Sequence, residues 1–440
     1  MNLLTDKIKT LYGKYLLTAL GSAMIVCIYS VADMAIVGQY QGPTGPAALA
    51  VIAPIWNIIY SLGLLMGIGG GVLFSVLRGD SHCVPQDSNE IFSASVLGGV
   101  LLSVLVWAVI ILFERNILLF FGADETLLPY AQEYMRPIVW VVPVFLFNQM
   151  LAAFLRNDNN PVLATAGILA GGIFNMVGDY VFVFAFHMGI AGAGLATAIG
   201  AVISFVILSF HFFSSKNTLK FARPRRFLRQ LKLVCITGFS TFFVDIAMGI
   251  LTILFNRQIM LYLSADVLAI YGPIINISTF VQCCAYSVGQ AAQPIISTNF
   301  GAKRYTRIKE VLKYALYSVA FFSFFWVALS FCCPNLYIRI FMKPTAHILS
   351  IAPQIIRIYA LSFLLLPLNI FATYYFQAII RPKLAFIVSV LRGVVVSGLL
   401  IWLLPKFLGG GALWYAMPVT ELLVAVVVTL FIYRYTKKLT

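Results

Sequence analysis

An amide and a carboxylate lie four residues apart in a very apolar stretch of this 440-residue chain, at Asn175 and Asp179. On a helix this spacing places both side chains on one face. An acid inside a membrane-spanning segment is energetically costly, and such acids usually bind an ion, a proton or a substrate. The pair therefore predicts a proton or cation site, with a locally satisfied structural acid as the alternative.

Two neighbouring apolar segments contribute residues of matching chemistry. Tyr29 and Asp33 are also four apart, which gives a phenol and a second carboxylate on one helix face. Thr197 supplies a hydroxyl within a run of small residues whose spacing favours close helix approach. If Asp33 and Asp179 lie together, repulsion and desolvation raise the affinity of the pair for a proton or Na⁺.

The segments that carry these residues have the composition of a membrane protein. The chain is 61% hydrophobic and 10% charged, and its mean hydropathy is +0.95, far from soluble proteins. A helix crosses a bilayer with about 20 apolar residues, and the alternating pattern of barrel strands is missing from the sequence. We predict an all-α integral membrane protein with about twelve transmembrane helices, near residues 15–37, 49–77, 91–113, 129–155, 161–186, 190–213, 233–263, 268–299, 311–334, 349–380, 384–405 and 411–434.

The net charge of +15 indicates orientation rather than nucleic-acid binding. Lys and Arg are concentrated in alternate loops, above all at 216–232 and 303–313. Because cytoplasmic loops are rich in these residues, the pattern predicts a multi-pass protein of a bacterial cytoplasmic (inner) membrane with both termini in the cytoplasm. The same charges favour contact with anionic membrane lipids.

The two halves of the sequence repeat each other. Residues 156–164 match 377–385, 221 positions on, and 31–35 match 243–247. Six helices per half make both halves run in the same direction, related by a pseudo-two-fold axis along the membrane normal. We predict two six-helix lobes, 1–213 and 233–440, joined by a basic cytoplasmic linker at 214–232 and suited to alternating access.

The repeat fails where the polar residues lie. At the 221-residue spacing, Asn175 and Asp179 fall opposite Val396 and Leu400. The ion chemistry is therefore predicted for the amino-terminal lobe alone.

The second half has buried charges of its own. Asp245 and Glu421 are acids within apolar segments, and Arg357 and Arg392 are the candidates to neutralise them. Asp245 has two interpretations of equal weight: a second cation or substrate contact, or one member of a structural ion pair.

At these residues the chain resembles the multidrug and toxic compound extrusion (MATE) family of cation-coupled antiporters, especially its prokaryotic DinF-type branch. The resemblance covers nearly the whole chain and implies a proton or Na⁺ site at Tyr29, Asp33, Asn175, Asp179 and Thr197. In the family's other main branch the acids lie in helices 7 and 10; Asp245 matches the first, but helix 10 here contains no acid. The motifs, in order, are DMAIVG at 33–38, LRNDNNP at 155–161, Asn175 with Asp179, GIAGAGLAT at 189–197, and GQAAQ at 289–293 with NFGA at 299–302.

The leading functional hypothesis is a secondary active antiporter for multidrug efflux. It exports organic cations or amphipathic drugs in exchange for H⁺ or Na⁺, acts as a monomer, and uses no cofactor and no metal other than Na⁺ at Asp33 and Asp179. Six side chains are candidates to line the substrate path, each equally suited to an interhelical hydrogen bond: Asn57, Asn148, Gln149, Met150, Gln290 and Gln293.

Two other classes of function compete with this hypothesis. The alternative is a flippase for lipid-linked sugars or oligosaccharides, from the same superfamily. Such a carrier of anionic pyrophosphates would resemble proteins that have a basic cavity, whereas the first half of this chain has an acidic core. An enzyme is disfavoured because the sequence lacks H-E-x-x-H, G-x-S-x-G and Walker motifs. The seven cysteines show no metal-ligand spacing and are interpreted as free thiols.

Overall fold

The computed structural model describes residues 2–42, 44–341 and 345–437, and the regular structure of these residues is helical throughout. Twelve helices in this part of the chain are long and apolar enough to cross a membrane, which confirms the predicted fold class. They are α1 (Ile8–Gln41), α2 (Thr44–Gly79), α3 (Pro85–Phe120), α4 (Leu128–Asn157), α5 (Pro161–Ala185), α6 (Gly189–Phe213), α7 (Phe227–Tyr262), α8 (Asp266–Gly301), α9 (Tyr305–Cys332), α10 (Ala346–Ala378), α11 (Pro382–Leu408) and α12 (Gly410–Lys437).

Several helices are longer than predicted. The first begins at Ile8 rather than residue 15, and α3 spans 85–120 rather than 91–113. About 20 apolar residues suffice to cross the hydrocarbon layer, so hydropathy marks only the central part of each helix. At the start of α3, Pro85 occupies the first turn and the Asp87 carboxylate accepts a hydrogen bond from the backbone N–H of Val84 at 3.3 Å.

Six of the described spans contain 3-10 or π-helical turns, and three of these turns lie in α4, α5 and α11. In α4 a 3-10 turn at Val139–Val141 follows Pro137, since a proline inside a helix removes a backbone hydrogen bond. The end of α5, Val181–Ala185, and the middle of α11, Leu391–Val395, are π-helical. Such turns are frequent at functional sites because they redirect side chains locally.

The predicted repeat has a matching backbone turn in each half. Asn159 (φ 60°) and Ile380 (φ 54°), 221 residues apart, both adopt the left-handed conformation. The residue after each donates its backbone N–H to the carbonyl five residues earlier, at 2.8 Å in both cases. This is the helix-ending Schellman arrangement, and Pro161 and Pro382 then begin the next helices.

The chain forms two compact units. Leu17–Phe242 belongs to the first unit, whereas Lys7–Leu16 and the chain from Phe243 onward belong to the second. In the first unit α5 and α6 approach closely, because a Cβ atom on Gly200 would lie only 2.7 Å from the carbonyl oxygen of Gly171. The small-residue spacing therefore brings the polar face of α5 against α6.

Candidate cation site

Four helices of the first unit bring polar side chains together. Asp33 lies on α1, Tyr134 on α4, Asn175 and Asp179 on α5, and Thr197 on α6. All five are buried, from 0% exposed at Asp179 to 9% at Thr197. Among the described residues, the hydrogen bonds of these five side chains run within the cluster itself.

A chain of hydrogen bonds connects these side chains. The Tyr134 hydroxyl donates to Asp33 Oδ2 at 2.8 Å and lies 3.3 Å from Thr197 Oγ1. Asn175 Nδ2 donates to Thr197 Oγ1 at 2.9 Å and approaches Asp179 Oδ1 at 3.4 Å. Thr197 and Asn175 thus link the carboxylate of α1 to the carboxylate of α5.

Three buried oxygen atoms of this cluster have no hydrogen-bond partner among the described residues: Asp33 Oδ1, Asn175 Oδ1 and Asp179 Oδ2. An unpartnered buried oxygen is costly, and an unpartnered carboxylate oxygen more so. A proton on a carboxyl oxygen converts it from an acceptor to a donor, and hard cations bind carboxylate and amide oxygens. The donor set therefore fits H⁺ or Na⁺ chemically.

The tyrosine that hydrogen-bonds to Asp33 is Tyr134, whereas the sequence predicted Tyr29 for the site. Tyr29 is half-buried and its ring lies beside Gly172, where an added Cβ atom would be 3.1 Å from Tyr29 Cδ1. No hydrogen bond between Tyr29 and either acid is found among the described contacts; Tyr134 donates to Asp33 instead. Sequence reasoning missed Tyr134, which is marked only by its place just before Pro137, a helix-breaking residue.

In the second unit, Asp245 also accepts a hydrogen bond from a tyrosine. The Tyr286 hydroxyl donates to Asp245 Oδ1 at 3.1 Å, while Asp245 Oδ2 is buried without a partner. The ion pairs formed by the described residues do not include Asp245. The structural ion-pair interpretation of Asp245 therefore lacks a partner in the described structure.

Glu421 is neutralised by Arg392, as predicted. Arg392 Nε donates to Glu421 Oε1 at 2.8 Å, and Asn369 Nδ2 donates to Glu421 Oε2 at 2.7 Å. The side chains of the pair are 6% and 0% exposed. Arg357 was expected in the same role and this was wrong: its Nε atom donates to the backbone carbonyl of Phe331, because its helix face is exposed.

The predicted substrate-lining residues of the first unit lie in different surroundings. Asn57 is exposed and Gln149 is half-buried. Asn148 Nδ2 donates to the backbone carbonyl of Ala201 at 2.9 Å, an interhelical bond between α4 and α6. Met150 is fully buried in an apolar cluster.

The other two candidates lie on α8. Gln290 and Gln293 are 6% and 2% exposed. Gln293 Nε2 donates to Ser297 Oγ at 3.4 Å, within the same helix. Both amides are thus buried.

An apolar cavity of about 590 Å³ lies between α2 and α3. Ile55, Ile59 and Ile110 form its inner wall and Phe113 and Phe120 its exposed edge. Its lining does not include the predicted site residues.

Comparison with known proteins identifies the family. The model of the MatE family matches residues 19–181 and again 240–403, so the family pattern occurs once in each half. "Multidrug export protein MepA" of Staphylococcus saprophyticus subsp. saprophyticus is 25% identical over 425 residues, 96% of this chain and 92% of that protein.

Solved structures share the fold. That of the "MATE multidrug transporter DinF-BH" is 24% identical, with a TM-score of 0.88 over 97% of this chain and 95% of that chain. A MOP superfamily transporter from Pyrococcus furiosus, described with the words "reverse polarity of binding pocket suggests different function", is 17% identical, with a TM-score of 0.90 over 99% of this chain and 98% of that chain. Since the family pattern covers most of both halves, the chain belongs to the MatE family, whose members are membrane transporters rather than enzymes and need no cofactor.

Proposed function

We propose that this protein is a secondary active exporter of organic cations or amphipathic drugs, driven by the inward movement of H⁺ or Na⁺. The observation that carries the proposal is the pair of buried acids in the first unit, Asp33 and Asp179, each with one unpartnered carboxylate oxygen. Relatives named for multidrug export support the substrate class.

The polar cluster supplies a means of binding the driving ion. With both carboxylates charged, Asp33 and Asp179 repel each other in a buried environment. A proton or Na⁺ removes that repulsion and gives the unpartnered oxygen atoms a partner. Tyr134, Thr197 and Asn175 connect the two carboxylates through a series of hydrogen bonds.

Coupling requires that ion and drug oppose each other energetically. Occupation of the acids by H⁺ or Na⁺ must lower the affinity for the drug on the release side. A cationic drug suits this exchange because it is attracted by the same negative charge that the ion neutralises. Tyrosine and phenylalanine rings, which together number 57 in the chain (21 Tyr and 36 Phe), add cation–π partners.

A carrier of anionic lipid-linked sugars is less well supported. Such a ligand requires buried positive charge. Of the two arginines that are buried among the described residues, Arg392 is paired with Glu421 and Arg156 donates to the Ser22 hydroxyl at 3.1 Å. The Pyrococcus furiosus transporter has the same fold and is described as having a binding pocket of reversed polarity. Fold therefore does not decide the charge of the substrate, and transport must be assayed with both classes.

The proposal includes the orientation predicted from the loop charges. Both termini lie in the cytoplasm, the protein resides in a bacterial inner membrane, and a single chain is sufficient for transport. The basic segments 216–232 and 303–313 then lie on the same, cytoplasmic side.

The experiment is efflux of fluorescent organic cations from membrane vesicles under an imposed pH or Na⁺ gradient. Asp33→Asn and Asp179→Asn should each abolish gradient-driven efflux at matched expression, because the ion site loses a charge. Glu310→Gln, which neutralises an exposed acid, is the matched control and should transport normally. If Asp245→Asn alone stops transport while both first-unit variants remain active, the ion site belongs to the second unit and the proposal is wrong.

A further inference from the structure

The basic linker, residues 214–232, is fixed to the first unit by a series of backbone hydrogen bonds. Four backbone N–H groups of the linker donate to side chains just after α4 and at the start of α3. The donors and acceptors are Thr218 to Asp158 (2.8 Å), Lys220 to Asn89 (3.3 Å), Ala222 to Ser93 (2.8 Å) and Arg225 to Glu90 (3.2 Å). The linker is thus an ordered strap rather than a loose tether.

A buried polar group anchors this strap. Asp158 accepts from Thr218 and lies 2.7 Å from Nε2 of His211, which is fully buried. His211 Nδ1 is 3.0 Å from Asn160 Nδ2, and Arg78 Nη2 donates to the Thr218 carbonyl at 2.8 Å. Since Asp158 and Asn160 belong to the LRNDNNP motif, that motif determines the position of the strap.

With its backbone bound on one side, the strap directs basic and apolar side chains outward. Three large apolar side chains on or beside it are strongly exposed: Phe213 (88%), Phe221 (72%) and Leu228 (78%). Seven exposed basic residues accompany them, and the sequence contains no acid between Asp179 and Asp245. These seven are Lys216, Lys220, Arg223, Arg225, Arg226, Arg229 and Lys232.

We propose that this exposed surface, the linker ridge (the three apolar and seven basic side chains just named), binds the anionic phospholipid headgroups of the surrounding membrane. It extends from the last residue of α6 into the first turns of α7, so the ends of two candidate membrane spans place it at the boundary between membrane and water. Of the seven cations only Arg225 has an acid partner among the described ion pairs, at Glu90. The apolar side chains distinguish a membrane surface from a soluble anion, because they enter the interfacial layer while the charged ends remain at the phosphates.

The proposal can be tested on the full-length protein in lipid nanodiscs. One preparation contains phosphatidylcholine alone and the other phosphatidylcholine and phosphatidylglycerol in equal parts. Chymotrypsin cleaves the linker at Phe221 and Leu228, and the rate of cleavage is measured from the appearance of half-length fragments. We expect roughly tenfold slower cleavage in the anionic nanodiscs, reversed by high salt, because basic side chains are attracted to an anionic surface and salt screens that attraction.

Two charge variants distinguish lipid binding by the linker ridge from a general effect of positive charge. The triple variant Arg223→Gln, Arg226→Gln, Arg229→Gln keeps the cleavage sites and should lose the protection. The triple variant Lys303→Gln, Lys309→Gln, Lys313→Gln removes the same charge from exposed positions elsewhere and should keep it.

Three outcomes would overturn the proposal. They are equal cleavage in both nanodiscs, equal loss of protection in the two triple variants, and protection in phosphatidylcholine on addition of inorganic phosphate or single-stranded RNA. The test does not depend on orientation, because both faces of a nanodisc have the same lipid composition. It does not depend on the transport function either, because no transport is measured.

Discussion

The ion pair between Arg392 and Glu421 gives the sharpest prediction of stability. Glu421→Gln keeps the shape of the side chain and an acceptor for Asn369, but it leaves the guanidinium of Arg392 buried without a counter-charge. Removing one member of a buried pair costs about 3–5 kcal/mol. A loss of this size is a large share of a typical unfolding free energy of roughly 5–15 kcal/mol.

A matched control exists at the surface. Arg115 and Glu125 form the same chemical pair at 3.4 Å, with side chains 62% and 82% exposed. Exposed pairs contribute little because water screens them, so Glu125→Gln should leave stability close to that of the wild type. The difference between the two Glu→Gln variants isolates the effect of burial.

The double variant Arg392→Met, Glu421→Gln completes a double-mutant cycle with the wild type and the two single variants. Because it removes both charges and retains side-chain volume, stability should return to within about 1 kcal/mol of the wild type. The measurement is equilibrium unfolding in mixed micelles of the four proteins of the cycle. If Glu421→Gln lowers the unfolding free energy as little as Glu125→Gln does, Arg392 and Glu421 do not form a buried charge pair. The assignment of Arg392 as the partner that neutralises Glu421 then fails.

Three further predictions concern the first unit and the loop after α2. Tyr134→Phe should weaken gradient-driven efflux in vesicles less than either aspartate variant does, because it removes hydrogen bonds rather than a charge; an equal loss would contradict this. Gly200→Ala should destabilise the protein by about 1–3 kcal/mol through overpacking, measured by unfolding in mixed micelles against Gly249→Ala, where an added Cβ atom meets nothing within 4 Å. Burial, and next the carboxylate of Asp80, raises the pKa of the Cys83 thiol, so its maleimide labelling should be slow at neutral pH and accelerate at alkaline pH as thiolate forms; a flat pH profile would refute this.

The sequence was most informative where composition and helical periodicity dominate. Twelve apolar runs predicted twelve spans, because a helix in lipid must satisfy its own backbone and present apolar side chains. The four-residue spacing of Asn175 and Asp179 was sufficient to place them on one face of α5. Arg392 could be named as a candidate to neutralise a buried acid because it lies in an apolar run, where a charge requires a counter-charge, but the sequence did not say which acid it pairs with.

Tertiary partners were harder to predict. Tyr134 and Asp33 lie 101 residues apart in the sequence, so helical spacing could not pair them. Arg357 was misassigned because hydropathy does not show which face of a helix is exposed. The buried bond between Asp158 and His211 joins residues 53 apart in the sequence, and local patterns carry no signal for such a pair.

The repeat predicts backbone geometry better than chemistry. Gly171, Gly200 and Asn148 of the first unit correspond at the 221-residue spacing to Arg392, Glu421 and Asn369 of the second. Two glycines that allow close helix contact in the first unit are thus replaced by a charge pair in the second, beside an asparagine that is present in both.

The two units therefore differ in buried charge, and this difference affects how ion movement is coupled to drug export. In the second unit the charge of Glu421 is internally balanced, whereas in the first unit Asp33 and Asp179 lie in a cluster whose other members are neutral. Only an unbalanced buried charge gains a large free energy from an incoming cation, because a balanced pair must first be broken. The double variant Arg392→Met, Glu421→Gln should therefore retain gradient-driven efflux even though it removes two buried charges. Loss of coupling in that variant, at normal stability, would place the second unit in the ion pathway.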